Sequence, residues 1–406
     1  SLRPVSGVLP MALTAAAMAL GSKALPLTMT DACTICDPTA AEGLHMAARI
    51  GMEQNRLQWR MDYDPAADTT DASFRLAYSD RSGQWIFDGS GYNFKPTFKY
   101  VKNIFDKADI VVGNLETLVS KSLPLSKDMS RLQNKPYLNA PEEWLDALEY
   151  AGFDGFIMAN NHACDGGKTG IVETLEELDS RSIPHTGLFA DKNSKRYFII
   201  EENGIKVGVI SYAAYYNLKD KFLTDEEQDI MLNRPVQDKM NSDVHALRKA
   251  GAEYIIAYNH SGTEYSHLPA PRQMRYGIML AHAGVDYIVG SHPHVLQPYE
   301  PLLYRGTVTP YIYSMGNFTS SMLDPKTKET IILSLTLERN ESGEVMLADQ
   351  TYYPCYMLDE YEKKPFVLIP EDKDCNGNLY ENAPKALKNQ LKKNFKHIRQ
   401  IVGKLD

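Results

Sequence analysis

One recurring unit constrains this chain more than any other feature. A short apolar run ends in a polar corner, and a helical stretch that stops at glycine follows. Apolar runs occupy residues 109–113 (DIVVG), 155–159 (GFIMA), 207–212 (VGVISY), 254–258 (YIIAY), 286–290 (DYIVG) and 310–313 (PYIY). They are short, rich in β-branched and aromatic residues, and bounded by turn residues, as buried strands are. Helical patterns cover residues 141–151, 169–180, 236–250 and 271–283, and Gly152, Gly251 and Gly284 stand just past three of them. Glycine supplies the left-handed backbone that ends a helix. Such alternation predicts an α/β fold, with residues 109–113, 155–159 and 286–290 in one sheet.

The flanks read differently. Residues 1–72 show no clear strand–helix order and are expected to form an atypical N-terminal segment. Residues 73–322 form the main domain. Residues 323–406 are expected to pack on it as a hairpin and a helix: residues 330–338 pair with 344–352 across the turn at 341–343. Residues 384–402 form an amphipathic helix with Leu387, Leu391, Ile398 and Val402 on one side. Its lysines are compatible with membrane or polymer contact; a solvated face on a docking helix is the simpler reading.

Composition narrows the classes. Apolar residues make up 43% and charged residues 23% of 406, a globular balance rather than a disordered one. A formal charge of −9 argues against a general nucleic-acid binder, which needs a basic surface. It leaves an acidic substrate open, because a local cation overrides the global sign. Of five cysteines, Cys33 and Cys36 form an isolated pair, read as a turn or a single disulfide. The apolar run 8–20 is too short to span a membrane and has the length of a signal-peptide core. A signal remnant and extracytoplasmic work are expected from it; an alanine-rich soluble helix is the other reading.

Chemistry gathers where the strands end. Residues 109–113 run into Asn114-Leu115-Glu116, and residues 155–159 into Asn160-Asn161-His162-Ala163-Cys164-Asp165. Residues 254–258 run into Asn259-His260, with Glu264 shortly after, and residues 286–290 into Ser291-His292-Pro293-His294. Open α/β sheets bind ligands at these carboxyl ends. Imidazole, carboxylate and amide oxygen suit a divalent Mn, Zn or Fe ion. A lone strand-end histidine is usually a hydrogen-bonded corner residue, but that reading must be repeated at every strand.

Together these segments resemble the CapA family of the calcineurin-like metallophosphatase superfamily. The resemblance is carried by AsnLeuGlu at 114–116, AlaAsnAsnHis-x-x-Asp at 159–165, His-x-Gly-x-GluTyr at 260–265, GlySerHisProHis-x-x-Gln at 290–297 and TyrSer-x-GlyAsnPhe at 313–318. It implies a four-layer αββα metallophosphatase-like sandwich of two mixed sheets. It further implies one or two metal ions held by Asn114, Glu116, Asn161, His260, His292 and His294. His162 would serve the leaving group, Asp165 would orient it, and Glu264 could act as base. Two departures stand out. Asn114 replaces the superfamily's bridging carboxylate, with Glu116 as the carboxylate able to compensate. The opening Gly-Asp motif is missing, with Asp80 or Asp68 as the nearest substitutes. Fewer charged ligands imply a weakly bound metal. The implied function is poly-γ-glutamate capsule synthesis, either as a metal-dependent hydrolase of a phosphoester or amide-type bond or as a polymer-binding assembly subunit. Implied partners are poly-γ-glutamate or a related anionic polymer, a capsule synthesis complex and a peripheral membrane contact.

Overall fold

A computed structural model of the chain describes residues 25–30, 92–124, 138–320, 322, 324–361, 364–371 and 383–405. Its strands, in chain order, are β1 (Leu25–Thr30), β2 (Ile110–Asn114), β3 (Gly155–Ile157), β4 (His185–Thr186), β5 (Phe198–Glu202), β6 (Ile205–Ala213), β7 (Tyr254–His260), β8 (Tyr287–Ser291), β9 (Leu296–Tyr299), β10 (Leu302–Tyr304), β11 (Thr307–Thr309), β12 (Tyr311–Met315), β13 (Glu329–Arg339), β14 (Val345–Tyr361) and β15 (Lys364–Pro370). They form a seven-stranded sheet ordered β15-β14-β13-β1-β2-β3-β4, a six-stranded sheet ordered β5-β6-β7-β8-β12-β9, and a small β10-β11 hairpin. Both large sheets are mixed. β1 to β4 run parallel, as do β6, β7, β8 and β12, and antiparallel strands flank each set.

Side-chain alternation explains the layering. Ile110, Val112 and Ile157 enter the core between the sheets, where they join Val207, Val209, Ile256 and Val289 of the other sheet. Val111 and Phe156 face outward with Trp144, Leu148, Ile171 and Leu175 from helices Glu143–Ala151 and Gly167–Ser180. Ile210, Ile255 and Ile288 face outward on the second sheet, against Val244, Leu247 and Leu280 of helices Gln237–Lys249 and Pro271–Ala283. Successive strand residues point to opposite faces. A strand buried on both faces is therefore apolar throughout, which is why these runs are continuous. The result is the four-layer αββα sandwich. Helix Glu143–Ala151 stops where Gly152 takes φ 107 and its N–H returns to the Leu148 and Glu149 carbonyls.

Three sequence expectations need correcting or relocating. Residues 109–113 and 155–159 share the first sheet as β2 and β3, but 286–290 lies in the second as β8. A continuous apolar run reports burial on both faces and says nothing about which sheet supplies it. Order was also missed in the N-terminal segment. β1 sits between β13 and β2, with Thr30 opposite Gly113. Its sequence, LPLTMT, carries a proline and two threonines that mask a central strand. Asp68, Asp80, Cys33, Cys36 and the run 8–20 lie outside the described residues.

The C-terminal elements are a long hairpin and a helix. β13 pairs antiparallel with β14 over Glu329↔Tyr356 to Arg339↔Val345. Helix Lys385–Val402 buries Leu391, Phe395, Ile398 and Val402 in the core between the sheets, with Leu387 half-buried beside them. Lys392, Lys393 and Lys396 face solvent. Ile398→Ala should destabilise the fold by about 2–5 kcal/mol in urea unfolding, as deletion of a buried branched side chain does. Lys396→Ala should change it by less than about 0.5 kcal/mol. Equal, small effects would mean that the helix does not depend on its apolar face.

Candidate metal centre

The cleft is built where parallel strands of the two sheets end side by side. Asn114 closes β2, and Glu116 lies two residues on. Beyond β3, the turn at 160–165 presents Asn160, Asn161, His162 and Asp165. In the second sheet β7 ends at His260, β8 leads into His292-Pro293-His294, and β12 leads into Asn317. The sheet brings β8 and β12 very close: a Cβ on Gly290 would lie 2.1 Å from the Tyr313 carbonyl oxygen. His292 and His294 hold positive φ angles of 101° and 58°. Non-glycine residues adopt these conformations only when the surroundings enforce them, and they cluster at functional sites.

Contacts converge on His260, which is fully buried. Its Nε2 lies 2.9 Å from Asn161 Oδ1, 3.3 Å from His292 Nδ1 and 3.6 Å from Glu116 Oε1. Glu116 Oε2 in turn accepts from Asn114 Nδ2 at 3.0 Å. A second set shares His292: atoms of Glu264, His292 and His294 all lie within 4.8 Å of one another, with Glu264 Oε1 3.9 Å from His292 Nε2. His294 Nδ1 meets Asn317 Oδ1 at 2.9 Å. His162 Nδ1 meets Asp165 Oδ2 at 2.7 Å, and that same oxygen accepts the Leu138 N–H at 2.8 Å. A carboxylate only accepts, so Nδ1 of His162 carries the hydrogen and Nε2 is left for other work.

Burial fixes the charge states. His260 is held well below its ordinary value by desolvation, and then by His292, His294 and His162. Desolvation lowers His292 to about 3 and His294 to about 4, with neighbouring histidines adding to the shift. All three rings are neutral at pH 7, the state in which imidazole ligates metal. The donor set fits a cation. Atoms of Asn161, His292 and Glu116 approach His260 Nε2 to 2.9, 3.3 and 3.6 Å, while the carboxylate–imidazole group whose donor atoms all lie within 4.8 Å of one another, among the described residues, is Glu264, His292 and His294. A single imidazole hydrogen cannot satisfy all three contacts at His260 Nε2, whereas a positive ion would satisfy every lone pair.

The structure thus brings Asn114, Glu116, Asn161, His162, Asp165, His260, His292 and His294 into one buried cluster. Glu264 stands apart at the rim, its side chain 46% exposed. Three neighbours carried no role in the sequence reading. Asn160 Nδ2 donates to the Leu115 carbonyl at 2.9 Å and to Asn114 Oδ1 at 3.3 Å, and its Oδ1 accepts the His162 N–H. Asn317 contacts His294. Tyr215 sets its ring 4.6 Å from that of His292. Position in a polar corner could have flagged the two asparagines; nothing local in the sequence marks Tyr215.

A four-layer α/β sandwich whose strand ends gather histidine, asparagine and carboxylate defines the class of this protein by fold and cleft. Within that class, this chain belongs to the bacterial capsule synthesis protein family (PGA_cap), matched over residues 58–322. It is similar to the capsule biosynthesis protein CapA of Bacillus anthracis, at 28% identity over 78% of this chain and 75% of that one. It is also similar to the PGA biosynthesis protein CapA of Bacillus subtilis (strain 168), at 28% identity over 61% of this chain and 62% of that one, under two thirds of that relative. The calcineurin-like phosphoesterase YfkN from Bacillus subtilis overlays with a TM-score of 0.45 and 15% identity, over 93% of this chain and 100% of that one.

The neutral imidazoles make stability pH-dependent. In the unfolded chain histidines titrate near pH 6.5, whereas the folded chain holds His292 and His294 neutral down to about 3 and about 4. Between those limits the unfolded state binds more protons, so stability falls as pH falls. Thermal melts in chelator should show a loss from pH 6.5 down to about 4 that is shallower in a His292→Gln/His294→Gln double variant. Parallel slopes in the two proteins would contradict this.

Proposed function

We propose that this protein is a metal-dependent hydrolase acting in the synthesis or processing of poly-γ-glutamate or a related anionic polymer. The convergence of Asn161, His292 and Glu116 on His260 Nε2 carries the reading, because it gathers lone pairs that a cation would join. Mn, Zn or Fe suits that donor set, as one ion or two. Asn161, His260 and Glu116 would hold one position and His294 and Glu264 a second, with His292, whose neutral ring offers a single lone pair, serving one of the two; Asn114, implied as a ligand, instead donates to Glu116. When bound, the metal acidifies water and polarises the bond under attack. Carboxylates at Glu116, Asp165 and Glu264 would repel an anionic chain unless a cation lay among them, so metal loading and polymer binding are coupled in this reading.

The protein's own groups supply the proton transfers. Asp165 holds Nδ1–H of His162, which leaves Nε2 to protonate or stabilise a leaving oxygen or nitrogen. Glu264 sits at the rim, 3.9 Å from His292, within reach of entering water. The scissile bond is a phosphoester or an amide-type bond. A second reading, a non-catalytic polymer-binding subunit of a capsule synthesis complex, is favoured by the amide at Asn114, which lowers the negative charge available to two cations. Work outside the cytoplasmic membrane belongs to the same proposal. Among the described residues no helix is long and apolar enough to cross a membrane, so any membrane contact made by them would be peripheral.

The test is elemental analysis of protein purified without chelator, with turnover assayed on a phosphodiester panel and on poly-γ-glutamate. His162→Ala should lower turnover by about 10²–10⁴-fold, the usual contribution of a positioned acid, and leave metal content near normal. His292→Ala should lower metal and turnover together. Equal metal loss in both variants would make His162 an ordinary ligand. Retained metal and polymer binding without turnover on any substrate would select the assembly reading.

A further inference from the structure

Parallel strand β6 ends at Ala213, beside β7, and puts no histidine or carboxylate into the cleft. The segment after it is stitched to the backbone of His260 and of Asn161. Ala214 N–H donates to the His260 carbonyl at 3.0 Å, and Asn217 N–H donates to the Asn161 carbonyl at 2.7 Å. Tyr215 lies between these two anchors. Its ring meets the His292 ring edge to face, with centroids 4.6 Å apart and planes at 82°. Its hydroxyl donates to the Gly262 carbonyl at 3.0 Å. Burial and the nearby Glu264 raise the hydroxyl above its ordinary value, so it remains a donor.

Gly262 belongs to the loop that presents Glu264, and this loop is locked to the His292 corner. Ser261 N–H bonds to the Ser291 carbonyl at 3.0 Å, and Tyr265 N–H bonds to the Pro293 carbonyl at 2.7 Å. Gly262 takes φ 139, and a Cβ there would lie 2.8 Å from Pro293 Cγ. The His292 backbone is itself in a left-handed conformation that its surroundings must enforce. Tyr215 therefore touches both partners at once: the strained histidine through its ring and the interlocked loop through its hydroxyl.

We infer that Tyr215 is a positioning residue for the metal centre, fixing the imidazole of His292 and the loop that carries Glu264 in one geometry. The inference rests on the metal-site reading above. It assigns Tyr215 no contact with substrate and no proton transfer. Its action is to hold the two sets that share His292 in register, as groups behind metal ligands do elsewhere.

Cobalt titration of metal-stripped full-length protein, followed by visible absorption, reads this without turnover. Wild type should bind Co²⁺ with a defined ligand-field band. Tyr215→Phe removes the Gly262 tie and keeps the ring, and should weaken affinity about tenfold. Tyr215→Leu removes both contacts, and should weaken it up to about 100-fold and shift the band. Restoration of affinity and band from Leu to Phe marks the ring contact, which a purely structural role would not do. Melting curves report folding separately; if the Leu variant does not fold, the Phe variant decides alone. Wild-type binding with affinity and band unchanged in the folded variants would overturn the inference and leave the metal reading intact. No cobalt binding by wild type would overturn both.

Discussion

The cleft depends on one contact between sheets, the approach of His260 Nε2 to Asn161 Oδ1 and Glu116 Oε1. His260 belongs to the second sheet; Asn161 and Glu116 belong to corners of the first. Deeper between the sheets the join is largely apolar, made by side chains such as Ile110, Val112, Ile157, Val207, Val209, Ile256 and Val289. At the carboxyl ends the apolar seam gives way to a polar one. Three neutral imidazoles and their amide and carboxylate neighbours are taken out of water there. Burying such groups costs free energy unless partners compensate. His260 Nδ1 is buried without a hydrogen-bond partner, so the compensation is incomplete at the residue on which the contacts converge. The fold sustains this because a large apolar core surrounds it on both sheets.

Legibility in the sequence follows the same division. The strand cores were readable because continuous apolar runs bounded by glycine and polar corners have few other solutions. The site residues were readable because polar side chains at the ends of several such runs are hard to explain singly. Sheet membership was not readable. β8 follows the same local rules as β2 and β3, and only long-range pairing assigns it to the other sheet. β1 was missed for the opposite reason: its proline and threonines weaken the local signal, and flanking by β2 and β13 makes it a strand. Tyr215 was hidden because its importance arises from two contacts across the fold, to His292 and Gly262, and from no pattern in its own segment.

The amide at Asn114, where the resemblance implies a bridging carboxylate, has a visible local consequence. Asn114 Nδ2 donates to Glu116 Oε2, and Asn160 Nδ2 donates to Asn114 Oδ1. Asn114 therefore links two side chains that themselves reach the cluster. Glu116, two residues further along the chain, brings a carboxylate oxygen to 3.6 Å from His260. A carboxyl group thus stands near the position where the resemblance implies a bridging one, on a longer arm.

Charge balance then links the metal centre to the kind of chain it could accept. With His260, His292 and His294 neutral, these three rings bring no positive charge to Glu116, Asp165 and Glu264. An anionic polymer approaching this cleft meets carboxylates unless a divalent ion lies among them. The overall charge of −9 points the same way. Solution charges are screened beyond about 8–10 Å at ordinary ionic strength, so the sign of the local site outweighs that of the whole surface. In the reading proposed above, metal occupancy would convert the cleft from repelling an anion to attracting one, and the residues that set its geometry, Tyr215 among them, would act on binding as well as on chemistry.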